Sequence, residues 1–361
     1  MQIDHVNGAS ALAEADTAMR AGDFSKAQTI LAALADRTGE FAVLLRLAVV
    51  RRRLGDYVDA LEALTRALGQ RPHDLAALLM KGSILRAFGR REEAARAYAQ
   101  ALAVAPPAAQ LPPPIRAELE QAHAAVAADT AWRERLMSID LDGNQRLERL
   151  REDILAGGYG PLMLDGLPAV GFYDPDAFPG VAEFAAATSQ ILAEFQAMIA
   201  ERAPELVTAH GAGDGAKAAQ SRKWSAIHLI SDGEVVAENA RFAPLSLELY
   251  QRLGPPQIAG RSPNLMFSIL DPQTRIPPHH GVINSRLVLH IPLIVPPKCG
   301  LRVGQETREW VPGTAMIFDD TIEHEAWNDS NELRVVLLGD LWRPELDAAE
   351  RQAIAAMMAR D

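Results

Sequence analysis

The sequence predicts two architectures in one chain. An α-helical repeat array fills the first third, and a β sandwich or barrel with flanking helices fills the last half. Three observations predict this. Small residues and prolines recur at a 34-residue spacing as far as Pro106, and the run Pro112-Pro113-Pro114 closes that pattern. Beyond about residue 220, short apolar runs alternate with Gly, Pro and Asp turn signals, the pattern of many short strands.

Composition bounds the rest. At about 150 residues per domain, 361 residues make two to three domains. With 48% hydrophobic and 23% charged residues the chain can bury sizeable cores, which excludes disordered and fibrous classes. The single Cys299 excludes an intrachain disulfide framework and a four-cysteine zinc site, and fits a reducing compartment. A net charge of −11 argues against broad contact with nucleic-acid phosphates. The N-terminus MQIDHVNGASALAEAD has neither a basic leader region nor an apolar one. The apolar runs Phe41 to Val50 and Leu287 to Pro297 are too short or too broken to cross a bilayer, which needs about 20 apolar residues. The expectation is a soluble cytoplasmic protein without membrane insertion.

In the first third, Leu54-Gly55 recurs as Phe88-Gly89, Ala60 as Ala94, Ala67 as Ala101 and Pro72 as Pro106, each offset by 34 residues. A looser copy, Gly22-Asp23-Phe24 with Ala27, precedes them by 33. Small residues mark the close approach of two helices, glycine permits the turn between them, and proline ends the second helix. This resembles the tetratricopeptide repeat over residues 8 to 107, whose stacked hairpins form a superhelix that binds or positions a partner. The expected boundaries are a repeat domain over 1–110, a helical linker over 111–158 and a β domain over 159–361.

Leu119, Ala122 and Val126, then Leu147, Leu150 and Ile154, predict helix over 115–155, stopped by Gly157-Gly158-Tyr159-Gly160. Phe184, Ile191, Leu192, Phe195 and Ile199 predict one amphipathic helix near 180–201. Strands are predicted over Trp224 to Ile230, Leu265 to Leu270, Ser285 to Val295, Leu301 to Val303, Arg308 to Val311, Thr314 to Phe318 and Leu333 to Leu341. A closing helix over 344–359 would start at Pro344.

Four of nine histidines, His279, His280, His290 and His324, fall within 46 residues, a density that suggests a metal site. His279 and Gly281 stand at the start of a strand, and His324 follows a later one. Arg286, Val288 and His290 share one face of the strand between them, because side chains alternate. Arg334 opens the last apolar strand. Polar groups on an inward face are costly unless they hold something, and a buried arginine suits a carboxylate.

Three blocks, PHHGVINSRLVLHIPL, EWVPGTAMIFDDTIEHEAWND and LRVVLLGDLWRPEL, make residues 222–346 resemble the aspartyl/asparaginyl β-hydroxylase family. That family comprises Fe(II)- and 2-oxoglutarate-dependent oxygenases, and its animal members also carry tetratricopeptide repeats ahead of the oxygenase domain. The resemblance implies a double-stranded β-helix (jelly roll) and makes His279 and His324 the iron ligands and catalytic centre. Gly281 then stands where most related oxygenases have a carboxylate ligand, an absence this family is known for. The open iron positions would take 2-oxoglutarate and dioxygen (O2). Arg334, with Ser268, would hold the distal carboxylate of 2-oxoglutarate. His290, with Arg286 nearby, would approach the carboxylate beside the keto group, or the substrate. His280 takes a supporting role away from the metal, and Asp319 and Asp320 either orient His324 or make its turn.

The resemblance implies a dioxygenase acting on an unactivated C–H bond, most simply the β-carbon of Asp or Asn in a peptide or protein presented by the repeats. Two departures bear on that substrate: Val288 and Met266 replace an arginine and a lysine found in animal members. Three alternatives stay open. The first is a fatty-acyl hydroxylase of the lipid A type, against which stands the expected lack of a membrane segment. The second is a repeat adaptor with a decayed oxygenase domain. The third is a cupin-type metalloenzyme that ignores 2-oxoglutarate.

Overall fold

A computed structural model describes residues 2–156, 162–209 and 224–359, with side chains from residue 10 on and excluding those of 202–209. The glycine run expected at 157–160, and with it the 158/159 boundary, lies outside the described residues. The chain divides into two compact units, 1–137 and 138–361. The division falls inside the stretch that the sequence reading treats as one linker.

The first unit is helical: α1 (Gln2–Arg20), α2 (Phe24–Thr38), α3 (Phe41–Leu54), α4 (Tyr57–Gln70), α5 (Leu75–Ala87), α6 (Arg91–Val104) and α7 (Pro113–Ser138). The 34-residue period has a direct structural counterpart. Gly22, Gly55 and Gly89 each take a positive φ, of 78°, 85° and 77°, in the α1–α2, α3–α4 and α5–α6 turns. The next residue in each case, Asp23, Asp56 or Arg90, donates its backbone N–H to a carbonyl five residues back, at Ala18, Arg51 or Leu85, at 2.8–2.9 Å. This is the Schellman closure, in which glycine takes the left-handed position without a Cβ penalty. Ala27, Ala60 and Ala94 are buried where the paired helices meet. Leu119 and Ala122 of α7 extend the core made by α5 and α6.

The second unit begins with α8 (Gln145–Leu155), so the helix expected over 115–155 is two helices. Asp142 and Gly143 take positive φ in the turn that separates α7 from α8. β1 (Phe172–Tyr173), α9 (Val181–Ala186), α10 (Thr188–Ala209), β2 (Trp224–Ser231), β3 (Glu234–Val235), α11 (Ala237–Ala240) and α12 (Pro244–Arg252) follow. The single helix expected near 180–201 is thus broken at Ala187, where the Thr188 hydroxyl donates to the Ala185 carbonyl.

Then come β4 (Leu265–Leu270), β5 (Thr274–His279), β6 (Arg286–Ile294), β7 (Cys299–Val303), β8 (Glu306–Arg308), β9 (Met316–Phe318), β10 (His324–Asn328), β11 (Arg334–Trp342) and α13 (Ala348–Met358). The strand expected over Arg308 to Val311 lies earlier, at β8. The last helix does not start at Pro344. Asp347 caps it, in a reciprocal capping box with Glu350.

All strand pairs within the sheets are antiparallel. One sheet has the order β1-β9-β6-β11-β4-β2-β3, and the other β5-β10-β7-β8. Alternation along the strands gives the larger sheet two apolar faces. Leu287, Leu289, Ile291, Val335, Leu337 and Phe267 pack on α9 and α10, with the Phe195 and Phe267 rings 5.0 Å apart. Val288, Val336 and Phe318 face the smaller sheet and meet Cys299, Leu301, Val303 and Ala326. The result is a jelly roll whose interior face carries Val288 and His290 of β6 and Val336 and Leu338 of β11, while a register shift near Ile294 turns that residue to the helix side. Among the described residues, no helix is long and apolar enough to cross a membrane.

Candidate active site

The smaller sheet brings the first pair together. β5 ends at His279, β10 begins at His324, and the antiparallel register sets these residues opposite each other. His279 therefore closes a strand rather than starting one. Pro277 and Pro278 are tolerated in β5 because it is an edge strand and need not donate on its outer side. The two imidazole rings stand 4.0 Å apart, centroid to centroid.

Each ring is oriented by its own strand. His279 Nδ1 lies 2.8 Å from the Pro277 carbonyl, and His324 Nδ1 lies 3.0 Å from the Ile322 carbonyl. A carbonyl only accepts, so the proton sits on Nδ1 and both Nε2 lone pairs remain free. That is the tautomer a metal-binding imidazole needs. Burial, with His279 beside it, lowers the His324 pKa to about 4, so the ring is neutral near pH 7. Two imidazoles so placed can hold a divalent first-row ion. Among the described residues no third His, Cys, Asp or Glu completes a metal-binding group with them.

Gly281 explains part of that arrangement. A Cβ at this position would lie 2.4 Å from Cγ and Oδ2 of Asp320, and the Gly281 N–H is tied to the Asp320 carbonyl at 2.6 Å. The space of a side chain at 281 is already filled by a carboxylate from the β9–β10 turn. Burial raises the Asp320 pKa to about 6 against the pull of Arg286, whose Nη2 is 3.7 Å away. Asp319 makes the turn, accepting from the Thr321 N–H and hydroxyl, and pairs with Arg343 at 2.8 Å. His280 ties the 279–281 segment to the same turn through its Nδ1, 3.2 Å from the Thr321 carbonyl.

The larger sheet supplies a second group on the interior face. Ser268 of β4, His290 of β6 and Arg334 of β11 come from three neighbouring strands. Arg334 is 2% exposed, and no carboxylate among the described residues forms an ion pair with it. Its Nη1 lies 3.4 Å from the Ser268 carbonyl and hydroxyl, its Nε has no partner among the described residues, and the Trp310 ring lies 5.0 Å from its guanidinium carbon. Burial lowers its pKa to about 10. His290 accepts at Nδ1 from the Trp310 indole N–H at 3.0 Å, while its Nε2 is buried without a partner among the described residues. Phe318 stands between the two groups, its ring 5.1 Å from His290 and 5.4 Å from His324.

Arg286 does not join that set. It shares the face, but its guanidinium is bonded to the buried Asp340 and lies beside Asp320, so its charge is already matched. Two contributors escape sequence reasoning. Trp310 contacts both His290 and Arg334, and Trp224 donates its indole N–H to the Ser268 hydroxyl at 3.0 Å. The available signal was chemical: an indole N–H that becomes buried needs an acceptor.

Residues 185–344 match the family described as "Aspartyl/Asparaginyl beta-hydroxylase", and residues 5–124 match a "Tetratricopeptide repeat-like domain". Over residues 185–344 the second unit is similar to the aspartyl/asparaginyl β-hydroxylase family. The human "Aspartyl/asparaginyl beta-hydroxylase" is 34% identical over 136 residues, 37% of this chain but only 18% of that protein. The "Ornithine lipid ester-linked acyl 2-hydroxylase" of Rhizobium tropici is 34% identical over 176 residues, 48% of this chain and 60% of that protein. The human "Aspartate beta-hydroxylase domain-containing protein 2" is 34% identical over 142 residues, 38% of each chain. In each case the shared region is less than two thirds of the relative.

The His290 environment carries a pH signature. Burial above all, then the Arg334 and His324 charges, lowers the His290 pKa to about 3 from an ordinary 6.5. Protons therefore bind the unfolded chain more tightly. The stability from His290 is fully present above pH 6.5 and is lost as pH falls toward 3. At pH 4.5 this one group costs about 2.5 kcal/mol relative to neutral pH, at 1.36 kcal/mol per pKa unit. Urea unfolding of metal-free protein at pH 7 and 4.5 should show that loss on top of a similar one from His324, whose pKa burial also lowers, and His290→Gln should remove about half of the histidine-linked acid loss. An equally steep acid loss in the variant would place the effect elsewhere.

Proposed function

We propose that the chain is an Fe(II)- and 2-oxoglutarate-dependent dioxygenase that hydroxylates an unactivated C–H bond. The observation that carries this reading is the juxtaposition of His279 and His324, both Nε2 atoms free, with a buried and unpaired Arg334 in the same jelly roll. A structural histidine pair would need no such cation. A cupin-type site without an acidic ligand would leave Arg334 unexplained.

On this reading His279 and His324 hold the iron, and Arg334, Ser268 and His290 hold the carboxylates of 2-oxoglutarate. When bound, the iron and 2-oxoglutarate activate dioxygen, the cosubstrate leaving as succinate and carbon dioxide while one oxygen atom enters the substrate. The protein's own work is placement and exclusion of water. Phe318, Val288, Met316 and Val336 line the interior with apolar surface, which strengthens each charge-assisted bond made there. Arg286, already paired, braces the turn that carries Asp320.

For the substrate, the family match supports the β-carbon of an Asp or Asn side chain in a peptide or protein. On this reading the repeat array is its presenting surface, and the single Cys299 fits a cytoplasmic setting. A fatty-acyl substrate is the second reading. It is supported by the longer match to the Rhizobium acyl hydroxylase, and by Val288, which is buried among apolar neighbours.

One test addresses the cofactors and another the substrate. Anaerobic addition of Fe(II) and 2-oxoglutarate should produce a weak visible charge-transfer band, and air should then yield succinate. His279→Ala should lose both signals, and unchanged succinate formation in that variant would remove the proposed site. Heavy dioxygen supplied with host lysate and with a host lipid extract then separates the substrate classes by which fraction gains one labelled oxygen.

A further inference from the structure

Arginine can only donate, but histidine and serine are ambivalent: each can donate or accept. A site meant to grip an anion must therefore settle which way these two face. The structure does so with two tryptophans, both outside the expected site residues.

An indole N–H is a donor and nothing else. Trp310 donates to His290 Nδ1, so that nitrogen is unprotonated and the neutral ring carries its proton on Nε2. Nε2 is the atom left buried with no acceptor. On β4, the Ser268 hydroxyl oxygen faces the Trp224 indole N–H at 3.0 Å and the Arg334 Nη1 at 3.4 Å. Both neighbours are pure donors, so the serine proton is left to point elsewhere. Trp310 also lays its ring beside the Arg334 guanidinium, a cation–π contact that holds the cation in place.

We propose that Trp310 and Trp224 are positioning residues that turn His290 and Ser268 into hydrogen-bond donors, completing with Arg334 a donor-only cradle for the two carboxylates of 2-oxoglutarate. The inference rests on the 2-oxoglutarate reading above and deepens it. It explains why the cradle would refuse neutral amides and amines: it offers a cation and two N–H or O–H groups, and no acceptor.

The test has a readout independent of turnover. In the full-length metal-free protein with ring-labelled histidine, long-range proton–nitrogen NMR reports which nitrogen of His290 is protonated, with His290→Gln giving the assignment. The expected result is protonated Nε2 and bare Nδ1 in the wild type, and loss of that preference in Trp310→Phe. In the Fe(II)-loaded anaerobic protein, Trp310→Phe and Trp224→Phe should each weaken 2-oxoglutarate binding about tenfold. KM for 2-oxoglutarate should rise, with kcat and Fe(II) affinity little changed.

A proton on Nδ1 in the wild type would overturn the proposal, even if Trp310→Phe does not fold. Wild-type 2-oxoglutarate affinity in both variants would also overturn it. Failure of the wild type to bind 2-oxoglutarate at all would instead sink the functional reading, while the NMR result would still decide the tautomer.

Discussion

Gly281→Asp is expected to abolish turnover, although it would install a carboxylate two residues after His279, where a facial-triad ligand would stand. The obstacle is local. The new Cβ would lie 2.4 Å from the Asp320 carboxyl, far inside any real contact, and the backbone cannot retreat because the Gly281 N–H is fastened to the Asp320 carbonyl. Asp320 cannot retreat easily either. It is 9% exposed, with Arg286 on one side and the Asp319 turn on the other. A second carboxylate would also add like charge beside a group whose pKa burial has already raised to about 6. Overpacking of this kind costs about 1–3 kcal/mol, and a 1 Å displacement of a catalytic group can cost on the order of 100-fold in rate. Gly281→Ala, which adds the Cβ without the charge, should lose most of the same activity. Succinate formation and Fe(II) titration check both variants. Tighter iron binding with full turnover in Gly281→Asp would show that the site tolerates a third protein ligand.

How much of this could be read from the residues differs between the two units. The repeat array was legible because its punctuation is local: a left-handed glycine and a small residue recur at one period, and each sets its own turn. β4 was also legible, as an apolar run bounded by turn residues. β5 and β10 were not, since TRIPPH contains two prolines and HEAWN is too polar and too short to show a period of two. Only the partner across the sheet makes them strands, and it is these two strands that bring His279 and His324 together. The break at Ala187 and the capping box at Asp347 depend on hydrogen bonds that apolar periodicity does not report. The placement of Arg334 could be anticipated from one cation on an apolar strand. The loss of Arg286 to Asp340 could not, because that partner lies 54 residues away on the neighbouring strand.

Arg334→Met should uncouple stability from cosubstrate binding. Among the described residues of this unit two arginines are almost completely buried, Arg334 at 2% and Arg343 at 1% exposure, yet their surroundings are opposite. Arg343 is met by Asp319 at 2.8 Å and by the Tyr173 hydroxyl. Burial opposes its charge, but Asp319, Tyr173 and Glu345 hold its pKa above the ordinary arginine value. Removing one partner of such a pair leaves an uncompensated buried charge and costs about 3–5 kcal/mol. Among the described residues Arg334 has no anion to abandon, and its lowered pKa marks a cation that the fold tolerates rather than uses. Methionine there removes a desolvated charge and fills similar volume, so the melting temperature should hold steady or rise, while Arg343→Met should melt several degrees lower. Ligand binding should show the reverse. Deleting the buried charge partner of a carboxylate costs roughly 2–5 kcal/mol of affinity, a loss on the order of 30- to 1,000-fold or more for 2-oxoglutarate in Arg334→Met. Differential scanning calorimetry with and without 2-oxoglutarate measures both quantities at once. If Arg334→Met melts as early as Arg343→Met yet still gains stability from 2-oxoglutarate, Arg334 is part of the scaffold and the cosubstrate is held elsewhere.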